Sequence, residues 1–273
     1  MTHAGIRNVL SIAGSDPSGG AGIQADLKAI SAQGCYAMAA ITALTAQNTR
    51  GVTGVQLVDP DFVAEQIDAV FADIRIDAVK IGMLGSADIA AAVAATLARH
   101  RPAHIVLDPV MVAKGGDRLL AEAAIAVLKE QLLPLATVLT PNLPEAAVLL
   151  GAPEPETRDA MPAVAAALRT LGPAAVLLKG GHLCGDTSPD LLVTAAGEHW
   201  LEGERIATQN THGTGCTLSS ALAAQLALKD DIRVATERAK HYVAGAIAAA
   251  DQLTVGRGHG PTHHFHAFNK RGQ

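Results

Sequence analysis

The segment NTHGTGC, residues 210–216, places two glycines and a cysteine directly before a long helix-forming run. Gly213 and Gly215 let the backbone turn so that successive N–H groups point at one spot. The following helix adds the positive end of its dipole, roughly half a unit charge. We therefore predict that residues 211–216, here named the anion cradle, stabilise negative charge on a transferred phosphoryl group. The structural alternative is a simple N-cap formed by Thr214.

Two carboxylates and a lysine follow other predicted strands. Asp108 ends the apolar run IVLD, and Glu145 lies in TPNLPEA at the start of a predicted helix. Mg²⁺ prefers oxygen ligands, so both carboxylates are candidate ligands, directly or through water. Asn142 and Glu145 also have the spacing of a capping box, which is the structural alternative. Lys179 ends a strand, where burial favours an anionic partner such as a nucleotide phosphate unless its ammonium reaches solvent.

Three further motifs allow both a functional and a structural interpretation. GSDPSGGAG, residues 14–22, is either a glycine-rich turn that closes over a ligand or an ordinary strand-to-helix turn. Gln47 both donates and accepts, which suits a heterocycle edge with an amino group beside a ring nitrogen, or it is a surface glutamine. The tail GHGPTHHFHAF contains four histidines between 259 and 266 but no cysteine or carboxylate pair, so we assign it a structural or surface role.

Short apolar runs alternate with longer amphipathic runs, and these elements must position the motifs. We predict strands at 9–14, 38–44, 52–58, 78–83, 104–110, 137–140, 174–180 and 190–195. We predict helices at 20–33, 61–72, 86–100, 117–131, 143–150, 159–171, 214–228 and 232–252. The alternation predicts an α/β fold with three α/β/α layers and a mostly parallel central sheet. Such sheets bind ligands at the carboxyl ends of their strands, where the motifs occur.

Composition limits the classes of protein to which the chain can belong. Its 273 residues are 49% hydrophobic and 3% aromatic, which supports one domain over residues 1–273 with an aliphatic core. A net charge of −5 gives no electrostatic support for nucleic-acid binding. No apolar run reaches the ~20 residues of a membrane span. Three scattered cysteines, Cys35, Cys184 and Cys216, suit a reducing compartment, so we expect a cytoplasmic protein.

Seven blocks occur in one order along the chain: IAGSDPSGGAGIQADLKA, ITALTAQNT, KIGMLG, VLDPVM, TPNLPEA, LLKGGH and NTHGTGCTLSSA. Together they closely resemble the bacterial hydroxymethylpyrimidine/phosphomethylpyrimidine kinases of thiamine biosynthesis, within the ribokinase-like superfamily. The resemblance extends from about residue 8 to residue 268. It implies two ATP-dependent phosphorylations, first of 4-amino-5-hydroxymethyl-2-methylpyrimidine and then of its monophosphate. It also implies a homodimer.

The resemblance assigns roles by matching position. The residues implied to surround the pyrimidine are Gln47, Gly14, Asp26, Met83 and Val110. Those implied to bind ATP are Lys179, Thr211, His212 and Thr214, with Gly213, Gly215 and Cys216 at the transferred phosphoryl group. Asp108 and Glu145 match the Mg²⁺ region. Cys216 occupies the position where sugar kinases of this superfamily carry an aspartate base, so it is a candidate base.

A helix N-terminus lowers the pKa of a thiol from about 8.5, so a thiolate base at neutral pH is expected at Cys216. The glycine-interrupted segment MVAKGGDRLL, residues 111–120 with Lys114 and Arg118, predicts a flap over the site or an exposed loop. Two other functions stay open at this point. One is a pyridoxal or pyridoxine kinase, which shares the fold, and the other is a non-catalytic pyrimidine-binding module. The contexts of Gln47 and Met83 favour the pyrimidine.

Overall fold

A computed structural model describes residues 5–111, 122–228 and 231–268. Its strands are β1 (Asn8–Ala13), β2 (Tyr36–Ile41), β3 (Ala43–Asn48), β4 (Gly51–Leu57), β5 (Ala78–Ile81), β6 (Ile105–Leu107), β7 (Val138–Leu139), β8 (Ala175–Lys179), β9 (Asp190–Thr194) and β10 (Gly197–Leu201). Its α-helices are α1 (Gly22–Ala32), α2 (Pro60–Asp73), α3 (Ala87–His100), α4 (Glu122–Val127), α5 (Leu143–Leu150), α6 (Met161–Arg169), α7 (Thr214–Leu228) and α8 (Ile232–Ala248). The predicted flap at 111–120, with Lys114 and Arg118, lies outside the described residues except for Met111.

Eight strands form a central sheet in the order β10-β9-β8-β7-β6-β5-β1-β2. Neighbouring strands along β2-β1-β5-β6-β7-β8 are parallel. At the other edge β9 pairs antiparallel with both β8 and β10. Alternate residues of each strand face opposite layers, as the two-residue period of a strand requires. Leu10 packs with the layer that contains α2 to α6, and Val9 packs with the layer of α1, α7 and α8. The predicted three-layer α/β/α fold with a mostly parallel sheet is confirmed.

Two details differ from the predicted elements. The predicted strand at 38–44 is broken at Thr42, where the chain leaves the sheet and enters β3. β3 and β4 then pair only with each other as an antiparallel hairpin, outside the central sheet. β10 was missed, because its polar Glu198 and His199 lie on an edge strand and leave little hydrophobic pattern.

Helix α7 carries the anion cradle at its start and is buried on nearly every side from Thr217 to Ala227. A helix that is apolar or small all round has no solvent face and belongs inside the protein. It packs against α1 and α8 and beneath β1, β5 and β6. The first turn of α7 therefore lies at the carboxyl ends of the central strands. None of the helices in the described ranges combines the length and apolarity that crossing a membrane requires.

Candidate active site

A cleft of about 1550 Å³ opens at the carboxyl ends of the parallel strands. Residues from each of the seven sequence blocks line it: Gly14, Asp16, Gln47, Lys80, Met83, Asp108, Val110, Glu145, Lys179, Thr211, His212, Gly213, Thr214, Gly215 and Cys216. Distant segments of the chain thus converge because parallel strands end at one edge of the sheet. Of the predicted site residues, Asp26 is the one that does not line the cleft.

The anion cradle has the backbone that its two glycines predict. Gly213 adopts φ 75°, and a Cβ there would clash with the carbonyl oxygen of Gly20, so only glycine fits. Thr214 does not cap the helix, because its hydroxyl donates to the carbonyl of Thr211 at 2.8 Å. Its N–H also donates to that carbonyl, at 3.3 Å. Within the described part of the chain, the N–H groups of Gly215 and Cys216 have no such acceptor and remain available to an anion.

Cys216 does not have the lowered pKa that its place at a helix N-terminus predicts. Burial raises the pKa of the thiol to about 11, and the nearby Lys80 ammonium only partly offsets this. The carboxylates of Asp26 and Asp108 raise the pKa further. The expectation of a thiolate at neutral pH is therefore wrong, because desolvation outweighs the favourable charges.

Lys179 lies between the two predicted metal ligands. Its ammonium donates to Asp108 Oδ1 at 3.0 Å and lies 3.9 Å from Glu145 Oε2. Burial would lower the pKa of Lys179, but these two carboxylates raise it to about 12, so the lysine is charged. Burial raises the pKa of Glu145 to about 7, against the opposing effect of Lys179. The capping box is also present. The N–H of Glu145 donates to Asn142 Oδ1, and the N–H of Asn142 donates to Glu145 Oε2, both at 2.8 Å.

Asp16, a residue not singled out from the sequence, ties the glycine-rich turn to the anion cradle. Its carboxylate accepts from the ring of His212 at 2.7 Å and from the backbone N–H of Ala21 at 2.8 Å. Burial alone would raise the pKa of Asp16, but hydrogen bonds from His212 and Ser18 outweigh it and hold the pKa at about 2. Gln47 approaches from the hairpin, with its Nε2 atom 3.5 Å from Nε2 of His212. The predicted pyrimidine reader therefore adjoins the predicted phosphate site.

Of the remaining predicted pocket residues, three line the cleft and one, Asp26, lies beneath it. Gly14 and Met83 are in contact, and a Cβ at Gly14 would clash with the Met83 methyl group. Val110 lines the cleft beside them. Asp26 is fully buried below the cleft, where it accepts from both the Lys80 ammonium and the Ser220 hydroxyl. Asp26 is therefore placed to support the pocket rather than to form its surface.

Lys80 is the second site residue that sequence reasoning missed. It is fully buried, donates to both Asp26 oxygens at 2.9 and 2.8 Å, and still borders the cleft. Burial alone would lower the pKa of Lys80, but Asp26 raises it above the usual value. The signal was available, because a lysine inside the apolar strand AVKI must either be paired or reach solvent. The signal for Asp16 was weaker, since Asp-Pro-Ser-Gly is also an ordinary turn sequence.

The family match and a relative of similar sequence point to the same kinase family. Residues 16–263 match the family described as phosphomethylpyrimidine kinase. The chain is 54% identical over 261 residues to the hydroxymethylpyrimidine/phosphomethylpyrimidine kinase of Escherichia coli (strain K12), covering 96% of this chain and 98% of that protein.

Solved structures of a pyridoxal kinase and of a phosphomethylpyrimidine kinase both share the fold. An ADP complex of Bacillus subtilis pyridoxal kinase superposes with a TM-score of 0.88 at 36% identity, covering 97% of this chain and 99% of that chain. The phosphomethylpyrimidine kinase of Clostridium difficile 630 gives a TM-score of 0.78 at 44% identity, covering 88% of this chain and 99% of that chain.

Proposed function

The chain belongs to the phosphomethylpyrimidine kinase family, and from that membership we propose that it phosphorylates 4-amino-5-hydroxymethyl-2-methylpyrimidine twice. The first ATP gives the monophosphate and the second gives the diphosphate, as a step of thiamine biosynthesis. The family match over residues 16–263 and the relative's 54% identity over almost its whole length support this activity. The three-layer fold fits the ribokinase-like superfamily, and the ADP complex of a structural neighbour supports ATP as the phosphoryl donor.

One observation carries the proposal. Gln47, which is expected to hydrogen-bond the pyrimidine, and the anion cradle line the same cleft, and Gln47 Nε2 lies 3.5 Å from Nε2 of the cradle residue His212. A pyrimidine held by Gln47 and walled by Gly14, Met83 and Val110 would direct its hydroxymethyl group towards the cradle. The free N–H groups of Gly215 and Cys216 would stabilise the transferring phosphoryl group. Thr211, His212, Gly213 and Thr214 would shape that loop.

The reaction itself exchanges one phosphorus–oxygen bond for another. The acceptor oxygen bonds to the γ-phosphorus of ATP, the bond to the β-phosphate oxygen breaks, and ADP leaves. The acceptor hydroxyl loses a proton in the first transfer. In the second transfer the acceptor is a phosphate that is already ionised, so no proton has to be removed.

Mg²⁺ fits the carboxylate pair by donor chemistry. Among the described residues, no three His, Cys, Asp or Glu side chains are grouped to hold a metal ion. Asp108 and Glu145 would supply two oxygen ligands, with water completing the shell. Both carboxylates already stabilise one cation, the ammonium of Lys179. When bound, the ion would supply neutralisation of charge on the ATP phosphates, as in other phosphoryl transfers. Lys179 would pair with the same phosphates.

Cys216 is the proposed proton acceptor of the first transfer, and its raised pKa gives the proposal a test. With a thiol pKa of about 11, the thiolate is a minor species at pH 7. The first transfer should therefore accelerate about tenfold per pH unit between pH 7 and 9, because the thiolate fraction grows by that factor. The second transfer should stay nearly flat over the same range.

Cys216→Ser replaces the titratable thiol by a hydroxyl of similar shape. We expect it to abolish the pH dependence of the first transfer and to leave the second transfer little changed. Equal slowing of both transfers by Cys216→Ser would instead show that Cys216 only shapes the pocket.

The overall activity is tested by incubating the purified chain with ATP and Mg²⁺ and, separately, the hydroxymethylpyrimidine, its monophosphate or pyridoxal, followed by mass spectrometry. Conversion of the hydroxymethylpyrimidine to its monophosphate and diphosphate, and of the monophosphate to the diphosphate, supports the proposal. Phosphorylation of pyridoxal alone would support the B6-kinase alternative, which the 0.88 TM-score to a pyridoxal kinase keeps in view. Pyrimidine binding without ADP release would identify a binding module.

Three further expectations belong to this proposal. We propose that residues 1–273 act as one catalytic unit, since segments from β1 to α7 together line one cleft. We propose a cytoplasmic enzyme, consistent with three free cysteines, Cys35, Cys184 and Cys216. We propose a homodimer, which sedimentation equilibrium of the purified chain would test.

A further inference from the structure

The histidine-containing tail has no place in the proposed reaction, yet it touches both halves of the site. Residues 256–264, here named the C-terminal strap, run from the hairpin β3–β4 past the anion cradle to the buried side of α7. Their second half is buried, from Gly260 to His264. A tail segment with this much buried backbone is fixed in place by specific contacts rather than lying on the surface.

At its first end the strap is fitted to the hairpin turn. The N–H of Gly258 donates to the Thr49 hydroxyl oxygen at 3.1 Å, and the N–H of His259 donates to the Thr49 carbonyl at 2.9 Å. A Cβ at Gly258 would clash with the Thr49 carbonyl oxygen. Gly256, with φ 71°, is equally close to the Thr49 side chain. Thr49 lies two residues beyond Gln47, so this contact fixes the end of the strand that carries the proposed pyrimidine reader.

In its middle the strap joins the anion cradle. The N–H of His212 donates to the carbonyl of Gly260 at 3.0 Å, and the N–H of Gly260 donates to Asn210 Oδ1 at 3.1 Å. The Asn210 side chain is itself fixed, because its Nδ2 donates to Asp251 at 2.7 Å. A Cβ at Gly260 would clash with the Asn210 side chain. The backbone of the strap is therefore hydrogen-bonded directly to the backbone of the cradle.

At its far end the strap is anchored in the protein interior. His264 Nε2 lies 3.1 Å from the Thr217 hydroxyl in the first turn of α7. The Tyr242 hydroxyl donates to the carbonyl of His264 at 2.7 Å. The N–H of His263 donates to the carbonyl of Ala246 in α8 at 2.9 Å. These contacts give the strap a rigid base from which to hold the hairpin.

We propose that the C-terminal strap positions the hairpin β3–β4 against the anion cradle, so that acceptor binding and nucleotide binding reinforce each other. A two-stranded hairpin outside the main sheet is marginally stable alone, so its orientation depends on what it touches. On the cleft side it meets the cradle through Gln47 and His212, and on the outer side through Thr49 and the strap. Ordering the cradle with nucleotide then orders the hairpin for the pyrimidine, and the reverse follows by linkage.

The proposal rests on the proposed function, and its test measures binding instead of turnover. The affinity of 4-amino-5-hydroxymethyl-2-methylpyrimidine is measured by calorimetry with and without saturating AMP-PCP and Mg²⁺, a nucleotide that cannot transfer its terminal phosphate. The ratio of the two dissociation constants is the coupling factor. For the unsubstituted chain we expect a factor of roughly five or more, the usual lower range of coupled sites.

Two variants loosen the strap and two matched variants leave it intact. Thr49→Val removes the hydroxyl that accepts from Gly258, and Gly258→Ala introduces the clash with the Thr49 carbonyl. Thr53→Val removes a hydroxyl of the same hairpin that donates only to Ala46 at 3.0 Å. Gly54→Ala adds a methyl group at ordinary contact distance from Ala46.

Thr49→Val and Gly258→Ala should lower the coupling factor about threefold or more, the equivalent of one lost hydrogen bond. Thr53→Val and Gly54→Ala should leave it unchanged, and Thr49→Ser, which restores the hydroxyl, should return it. A strap that only stabilises the fold would lower the melting temperature of the first pair without changing their coupling factor, and that result overturns the proposal. A coupling factor of one in the unsubstituted chain also overturns it.

Failure of the proposed function gives a different result. If the pyrimidine does not bind the unsubstituted chain at all, the acceptor assignment is wrong and the strap proposal falls with it. If the pyrimidine binds and all five variants behave alike, the strap proposal alone is wrong.

Discussion

Replacing Lys80 by methionine should destabilise the protein far more than replacing an exposed basic residue. Lys80 and Asp26 are both completely buried, and the ammonium donates to both carboxylate oxygens, at 2.9 and 2.8 Å. Ser11 and Ser220 donate to the same carboxylate, at 2.6 and 2.7 Å. Methionine fills a similar volume but leaves Asp26 as a buried anion with two neutral donors.

The magnitude follows from that burial. Removing one partner of a buried ion pair costs about 3–5 kcal/mol, because the other charge stays uncompensated. A domain of ordinary stability has roughly 5–15 kcal/mol in total, so Lys80→Met should remove a large share of it. The double variant Lys80→Met/Asp26→Asn removes both charges and keeps an oxygen for the serine hydroxyls, so it should recover most of the loss.

The assay is urea unfolding followed by circular dichroism at pH 7.5. Arg99→Met is the matched control, since Arg99 pairs with Asp68 at 2.8 Å but both side chains are substantially exposed. Exposed pairs contribute about 0–1 kcal/mol, so the control should change the free energy of unfolding little. The reasoning is refuted if Lys80→Met costs no more than Arg99→Met, or if the double variant is as unstable as the single one.

Three further predictions concern the pocket, the loop that follows β8 and the tail. Gly14→Ala should raise the KM of the pyrimidine roughly tenfold without changing that of ATP, because the new methyl group displaces Met83; steady-state kinetics with each substrate varied would check it. Arg205→Lys should raise the KM of ATP severalfold, because the guanidinium donates to carbonyls on both sides of the loop after β8, including Gly181 at 2.9 Å and Gly185 at 2.8 Å. Burial lowers the pKa of His264 to about 4 in the folded protein, whereas the pKa is 6.5 in the unfolded chain. As the pH falls below 6.5, the unfolded chain therefore takes up a proton that the folded protein does not. The contribution of His264 to the free energy of unfolding should therefore be complete above pH 6.5 and should fall by about 3 kcal/mol towards pH 4. His264→Gln should flatten that part of the pH profile in urea titrations.

The sequence predicted the fold because each element depends on a local pattern. The alternation of apolar strands and amphipathic helices is a property of neighbouring residues, and it located nearly every strand and helix. The hairpin was placed incorrectly because leaving the main sheet at Thr42 depends on tertiary contacts, including its hydroxyl bond to the Met83 carbonyl at 2.7 Å. No local pattern in the sequence reports a contact between residues so far apart.

The site was predicted as a set of positions, but its electrostatics were not. Glycine spacing located the cradle, yet the pairing of Asp16 with His212 joins residues 196 positions apart. The thiol of Cys216 shows the same limit. The helix N-terminus is visible in the sequence and lowers a thiol pKa, whereas the desolvation that raises it to about 11 depends on how α7 is buried.

The charges around the cradle explain why the thiol stays protonated and what a loaded site requires. Lys80 is matched by Asp26 and Lys179 by Asp108, so the two buried ammonium groups are already neutralised. Glu145, with a pKa of about 7, adds partial negative charge near neutral pH. A thiolate at Cys216 would add an anion to surroundings that are neutral or negative, and the phosphates of ATP would add more. The divalent cation proposed at Asp108 and Glu145 is thus needed to balance the nucleotide. The same balance predicts that Glu145→Gln, which removes one of the two proposed oxygen ligands, raises the Mg²⁺ concentration needed for half-maximal turnover. An unchanged Mg²⁺ requirement in Glu145→Gln would show that Glu145 is not a ligand of the ion.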